Sequence, residues 1–175
     1  MRVVGLVGWS GSGKTTLLVA LLPLLRGRGL RVSTIKHAHA GFDMDTPGKD
    51  SHRHREAGAH EVLVAGAGRW ALLREVAGAE PSLPALLARL DPVDLVLVEG
   101  FKTHRFPKLE VYRPALGKPP IWPGEPDVAA VATDAPMPVR ARPDGPGTVL
   151  DLDAPVDVAN WLLEFLIVPA RQAAD

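Results

Sequence analysis

Arg2-Val3-Val4-Gly5-Leu6-Val7-Gly8-Trp9-Ser10-Gly11-Ser12-Gly13-Lys14-Thr15-Thr16-Leu17-Leu18 is the stretch on which the fold turns. Residues 2–7 form a short apolar run that leads into glycine, the pattern of a buried strand. The next eight residues match G-x-x-x-x-G-K-[ST] at every fixed position. Glycines there let the backbone turn so that successive N–H groups point inward at phosphate oxygens. A helix starting at the same place adds the positive end of its dipole. Lys14 is then placed to reach the β- and γ-phosphates, and the Thr15 hydroxyl to ligate Mg²⁺.

Working outward, residues 14–26 read as a helix that is apolar on nearly every side, hence one packed against a sheet. Pro23 predicts a kink or an early end, with Gly27 or Gly29 as the stop. Residues 32–36 are a second β-rich run, so strand, loop, helix and strand make a βαβ unit with parallel pairing. A long polar loop follows over 37–49, then a short helix over 50–57. Residues 62–65 and 70–73 flank a Gly-Ala-Gly stretch and read as a β-hairpin. Ser82 reads as the N-cap of a helix to about Leu90.

Residues 95–98 are a continuous apolar run, hence a central strand. Residues 108–112 alternate and are expected nearer an edge, 115–126 is Pro- and Gly-rich loop, and 128–133 is another buried strand. A terminal helix is expected over 157–168, with a frayed tail beyond Pro169. The fold class expected is α/β: one three-layer P-loop NTPase domain over 1–175, with a mostly parallel central sheet and an appended β-hairpin.

Composition narrows the partners. The chain has 175 residues, with 20 Lys plus Arg against 20 Asp plus Glu. That balance argues against nucleic acid or anionic lipid held by bulk charge. Without a single Cys, disulfides, thiolate metal sites and a cysteine nucleophile are excluded. The longest apolar run, 17–25, contains Pro23 and is far short of the ~20 residues a bilayer needs. Residues 1–30 show no leader pattern, so the cytoplasm is the expected location.

A second Mg²⁺ element should be an acidic residue at the carboxyl end of a buried strand. Glu99 fits, beside the phosphate loop if the two strands are neighbours, whereas Asp94 starts its strand and falls at the opposite edge. Five of the six histidines, His37, His39, His52, His54 and His60, fall in one window. Three readings stand for it: a zinc or nickel store, a solvated loop with a basic helix, and a loop beside the nucleotide's phosphates. No His spacing in the window matches a closed zinc site, and position after the second strand favours the third reading. There, Asp43 or Asp45 could bind Mg²⁺ through water or orient a hydrolytic water. Asp45 and Glu99 are the candidate catalytic carboxylates and, with Thr15, the candidate metal ligands. Lys36, His37, Lys49, Arg53 and Arg55 are the candidate contacts to phosphate on the nucleotide or a second substrate.

Several segments together resemble the MobB family, the molybdopterin-guanine dinucleotide biosynthesis protein B proteins. They are the P-loop followed by Thr34-Ile35-Lys36-His37, Asp43-x-Asp45-x-Pro47-Gly48-Lys49-Asp50-Ser51, and Arg53-His54-Arg55-x-Ala57-Gly58-Ala59. Val98-Glu99-Gly100-Phe101-Lys102 and Pro107-Lys108-Leu109-Glu110-Val111 complete the set, which covers about residues 1–135. The resemblance implies a homodimer that binds GTP with Mg²⁺ and assists the guanylyltransferase that attaches GMP to molybdopterin. It implies weak or no GTPase activity alone, leaves direct molybdopterin binding open, and puts phosphate binding on Gly8, Ser10, Gly11, Ser12, Gly13, Lys14, Thr15 and Thr16.

No N-K-x-D motif is present to read guanine. Asp134, directly after a buried strand, is the candidate acceptor for guanine N1 and N2, with capping of the turn before Pro136 as the alternative. Two other functions use the same cradle. A small-molecule kinase needs a mobile Arg-bearing lid, and 115–126 has no Arg. A nickel-type metallochaperone GTPase generally pairs Cys with His, which this chain lacks. Leu63 and Trp70 on the hairpin mark either a dimer contact or packing against the chain's own helices.

Overall fold

The computed structural model describes residues 1–38, 41–136 and 147–167. His39, Val168 and the tail beyond Pro169 lie outside the described residues. The elements run β1 (Arg2–Val7), α1 (Lys14–Gly27), β2 (Val32–Lys36), α2 (Asp50–Glu56), β3 (Glu61–Gly66), β4 (Arg69–Arg74) and α3 (Leu83–Leu87). They continue with β5 (Leu95–Glu99), β6 (Lys108–Tyr112), β7 (Val128–Thr133), β8 (Thr148–Asp151) and α4 (Pro155–Ile167). Two compact units result: Met1–His37 with Leu90–Asp175, and Ala38–Arg89.

The first unit is a six-stranded sheet in the order β2-β5-β1-β6-β7-β8, every neighbouring pair parallel. β1 and β2 are therefore parallel without being partners, because β5 lies between them. α1 and α4 pack on one face around Val4, Leu6, Leu21, Leu97, Leu109 and Leu162, all fully buried. Shortening one of these leucines to alanine costs about 2–5 kcal/mol. Alternate strand residues form a smaller cluster of Val7, Val128 and Val131, covered by Tyr112 and Trp122. Among the described residues no helix is long and apolar enough to cross a membrane.

Two local expectations need correction, for β6 and α3. β6 is interior, between β1 and β7, and its two charged residues are fully buried. Lys108 Nζ donates to the His104 carbonyl at 2.6 Å and pairs with Glu125 at 3.4 Å and Asp127 at 3.7 Å. Glu110 accepts from the backbone N–H groups of Ile121 and Trp122 at 2.7 and 2.8 Å. These partners satisfy charges that the local pattern assigns to an edge.

α1 runs through Pro23 and stops at Gly27 as expected; Pro23 faces solvent one turn after Val19, itself 61% exposed, so the carbonyl that loses its partner lies on the wet side. α3 stops at Leu87, earlier than expected. β8 has no counterpart among the expected strands, and two 3₁₀ turns, Pro114–Leu116 and Trp122–Gly124, interrupt the Pro- and Gly-rich loop.

The second unit holds α2, the β3–β4 hairpin and α3. Ser82 caps α3 as expected, its Oγ accepting from the Ala85 N–H at 3.4 Å. Leu63 pairs with Leu72, and Ala65 with Trp70, so these four share one hairpin face.

Candidate functional site

β1 delivers the chain into a turn built on three left-handed glycines, Gly8 (φ 150°), Gly11 (φ 79°) and Gly13 (φ 98°). A Cβ on Gly8 would sit 2.4 Å from the Val111 carbonyl oxygen and 2.6 Å from Ser12 Oγ, so only glycine fits. Gly13 is the N-cap of α1 and no side chain caps the helix, which leaves its first backbone N–H groups for a ligand. Ser12 Oγ is buried and has no hydrogen-bond partner among the described residues. Lys14 folds back over the loop, donating to the carbonyls of Gly8 and Trp9 at 3.1 and 2.9 Å. Burial pushes the Lys14 ammonium below the usual lysine range; Glu99 opposes this, while Lys102 and Lys36 add to it. A cation surrounded by other cations favours an incoming polyanion.

Glu99 stands where expected. β5 pairs with β1 so that Leu6 and Glu99 are in register, and Thr15 Oγ1 donates to the Glu99 carboxylate at 3.0 and 3.1 Å. A hydroxyl and a carboxylate beside a phosphate cradle are hard oxygen donors that suit Mg²⁺. Asp94 lies at the other end, its carboxylate accepting from the Arg31 N–H at 2.7 Å.

The chain turns sharply after Glu99. Gly100 (φ 107°) has no room for a Cβ, which would meet His37 Cβ at 2.5 Å. Phe101 adopts φ 50°, a left-handed conformation costing roughly 1–3 kcal/mol outside glycine. Stacking on the His37 ring (4.6 Å between centroids) and an edge contact with His104 (5.0 Å) hold it there. The His37 N–H also donates to the Glu99 carbonyl at 2.8 Å. His37 thus backs the strand end that carries Glu99, while Lys36 is exposed on the edge strand.

Asp134 follows β7 and forms an ion pair with Arg113, whose Nε donates to the Ser12 carbonyl at 3.1 Å. It also lines a cleft of about 400 Å³ at the carboxyl ends of β7 and β8, formed by residues 133–136 and 149–151.

In the second unit, Asp45 accepts from Ser51 Oγ at 2.7 Å and the Thr46 N–H at 3.0 Å. Arg55 pairs with Asp45 at 3.3 Å, with Asp43 at 3.2 Å, and with Glu75. The Ser51 hydroxyl holds the Asp45 carboxyl below the usual carboxylate range, with the Thr46 N–H and Arg55 adding to it. Arg55 is thereby committed to carboxylates, whereas Arg53 and Lys49 are exposed. His52 pairs with Glu56 at 3.4 Å and His60 contacts Arg74 at 3.1 Å. Among the described residues no group of three or more His, Asp or Glu is arranged to hold a metal ion.

The family model "Molybdopterin guanine dinucleotide synthesis protein B" (MobB) matches residues 3–134. The chain belongs to the MobB family. It is 38% identical over 168 residues to the molybdopterin-guanine dinucleotide biosynthesis adapter protein of Escherichia coli, covering 94% of this chain and 93% of that one. The Haemophilus influenzae adapter protein is 41% identical over 170 residues, covering 93% and 90%. A crystal structure of molybdopterin-guanine biosynthesis protein B matches with a TM-score of 0.71 at 26% identity, covering 93% of this chain and 99% of that one. The Bacillus subtilis MobB structure matches with a TM-score of 0.69 at 28% identity, covering 94% and 97%.

For this MobB-family chain, the structure brings together the cradle residues Gly8–Thr16, Glu99 and Asp134 in one unit, with Lys36 ending the edge strand and His37 directly after it. Asp45, Lys49, Arg53 and Arg55 belong to the other. Sequence reasoning missed Arg113 and Trp9. Trp9 Nε1 donates to the Pro119 carbonyl at 2.7 Å, and Lys102 lies 5.2 Å from its ring centroid. No motif marks either residue; the only signal was their place at a loop or a strand end.

Proposed function

We propose that this chain is a GTP- and Mg²⁺-binding adapter that assists the guanylyltransferase attaching GMP to molybdopterin, working in the cytoplasm with slow or no hydrolysis alone. The observation that carries the reading is the uncapped, glycine-built cradle at the start of α1, with Thr15 and Glu99 in contact beside it. Gly8, Ser10, Gly11, Ser12, Gly13, Lys14, Thr15 and Thr16 would hold the triphosphate. Thr15 and Glu99 would hold Mg²⁺, which when bound offsets phosphate charge as a Lewis acid. Asp134 is the proposed acceptor for the guanine base. Lys36 offers exposed positive charge to phosphate, and Lys49 and Arg53 offer it on the second unit. Any part for Asp45 in catalysis requires Arg55 to release it.

Hydrolysis is expected to be slow because Glu99, in contact with Thr15, is assigned to Mg²⁺ and not to activating water. The hairpin face of Leu63, Leu72 and Trp70, exposed by 61%, 42% and 66%, supports a homodimer contact. Reconstitution tests the adapter role. Adding the chain and GTP to molybdopterin and the guanylyltransferase should raise the dinucleotide yield, and Lys14→Ala should remove the gain. Equal yields with and without the chain would contradict the reading.

A further inference from the structure

Arg113 joins two parts of the site that come from different strands. Its Nε donates to the Ser12 carbonyl at 3.1 Å, inside the phosphate loop, and its Nη1 donates to Asp134 Oδ2 at the end of β7. The guanidinium lies over Gly13, with Nε and Nη2 at 3.6 and 3.7 Å from where a Cβ would stand. Because the group is a rigid planar fork, fixing Nε on Ser12 also fixes the direction from which Nη1 meets the carboxylate.

The backbone that presents Arg113 is itself held. It leaves the interior strand β6, and the following turn is closed by Leu116 N–H donating to the Arg113 carbonyl at 3.1 Å. Trp9 grips Pro119, and the buried Glu110 carboxylate takes the N–H groups of Ile121 and Trp122. A side chain on so fixed a base can set an angle.

Resting on the GTP reading above, we propose that Arg113 positions Asp134 to accept guanine N1–H and N2–H and ties that base choice to the phosphate cradle. It is a positioning residue that determines specificity, not a catalytic one. Asp134 Oδ2 accepts one bond from the fork, which orients the carboxylate and leaves Oδ1 and the second lone pair of Oδ2 for the base. Guanine offers two donors on the edge that faces such a group, whereas adenine offers an acceptor at N1, so the set angle favours GTP over ATP.

The test is calorimetry of the intact chain with GTP, inosine triphosphate, ATP and inorganic triphosphate, each with Mg²⁺. Arg113→Gln should cut the GTP-over-ATP preference about tenfold, leaving ATP and triphosphate affinity within about threefold. Asp134→Asn should remove the preference, including that for GTP over inosine triphosphate, and Arg113→Gln added to it should bring no further loss. Arg113→Lys keeps the charge but cannot bond Ser12 and Asp134 as a fork, so it should also lose the preference; it serves if Arg113→Gln does not fold. Equal weakening of every ligand, an unchanged ratio, or additive effects in the double variant would each overturn the proposal. If the unaltered chain shows no preference for GTP, the GTP reading falls with it. If it prefers GTP and Arg113→Gln keeps the ratio, only the role of Arg113 falls.

Discussion

Thr15 Oγ1 lies 3.0 Å from Glu99 Oε1 and 3.1 Å from Oε2, a contact between the first turn of α1 and the end of β5. One hydroxyl proton is thus shared between two carboxylate oxygens, and both groups would turn to Mg²⁺ once the ion arrives. Glu99→Gln should therefore remove the gain in nucleotide affinity that Mg²⁺ gives while leaving affinity in chelator nearly unchanged. Paired titrations with and without EDTA check this. An undiminished Mg²⁺ effect would rule out the ligand role.

Lys14→Ala should weaken triphosphate binding ~100-fold or more, because it removes a cation bonded to the loop carbonyls and aimed at the phosphates. Stability should fall by no more than about 3 kcal/mol, since two bonds from a half-buried ammonium are lost while the cost of desolvating it is relieved. Thermal melts beside the titrations separate the two effects.

Glu110→Gln tests the interior of β6. The amide has one oxygen to offer where the carboxylate served two N–H groups, so one buried donor is orphaned at a cost of about 1–3 kcal/mol. Faster amide exchange at Ile121 and Trp122 should accompany the lower melting temperature.

Acid should loosen the loop of the second unit. The Asp45 backbone N–H holds the Asp43 carboxyl below its usual range, with Arg55 and His52 adding to it, and the Ser51 hydroxyl does the same for Asp45. A lowered native value means the unfolded state binds more protons in the window between the two values. The stabilisation is present above the ordinary carboxylate value and lost as pH falls through the native one, below about pH 4. Amide shifts of Asp45 and Thr46 followed by NMR should break in that window, and Asp45→Asn should remove the break at Thr46.

Trp70→Glu should dissociate the proposed homodimer without unfolding the first unit, because Trp70 lies on an exposed hairpin face. Sedimentation velocity reads the result. An unchanged mass would move the contact elsewhere.

Much of the site was legible because its signals are local. Gly8, Gly13, Lys14 and Thr15 are fixed by the backbone path of one turn, and Glu99 by the apolar run before it. Elements whose partners are distant in sequence escaped. Lys108 and Glu110 look like edge residues until Glu125, Asp127 and the 121–122 backbone arrive to satisfy them. Arg113 carries no pattern of its own; its meaning comes from Ser12 and Asp134, 101 and 21 positions away. Pro23 sits on the solvent face of α1, and the helix runs through it to Gly27, the stop that glycine there predicts.

The most direct measurement is calorimetric titration of the chain with GTP and with ATP, each in the presence and absence of Mg²⁺. The account predicts saturable GTP binding that Mg²⁺ strengthens and that ATP matches only weakly. Preference for ATP, or no binding of either nucleotide, would contradict it.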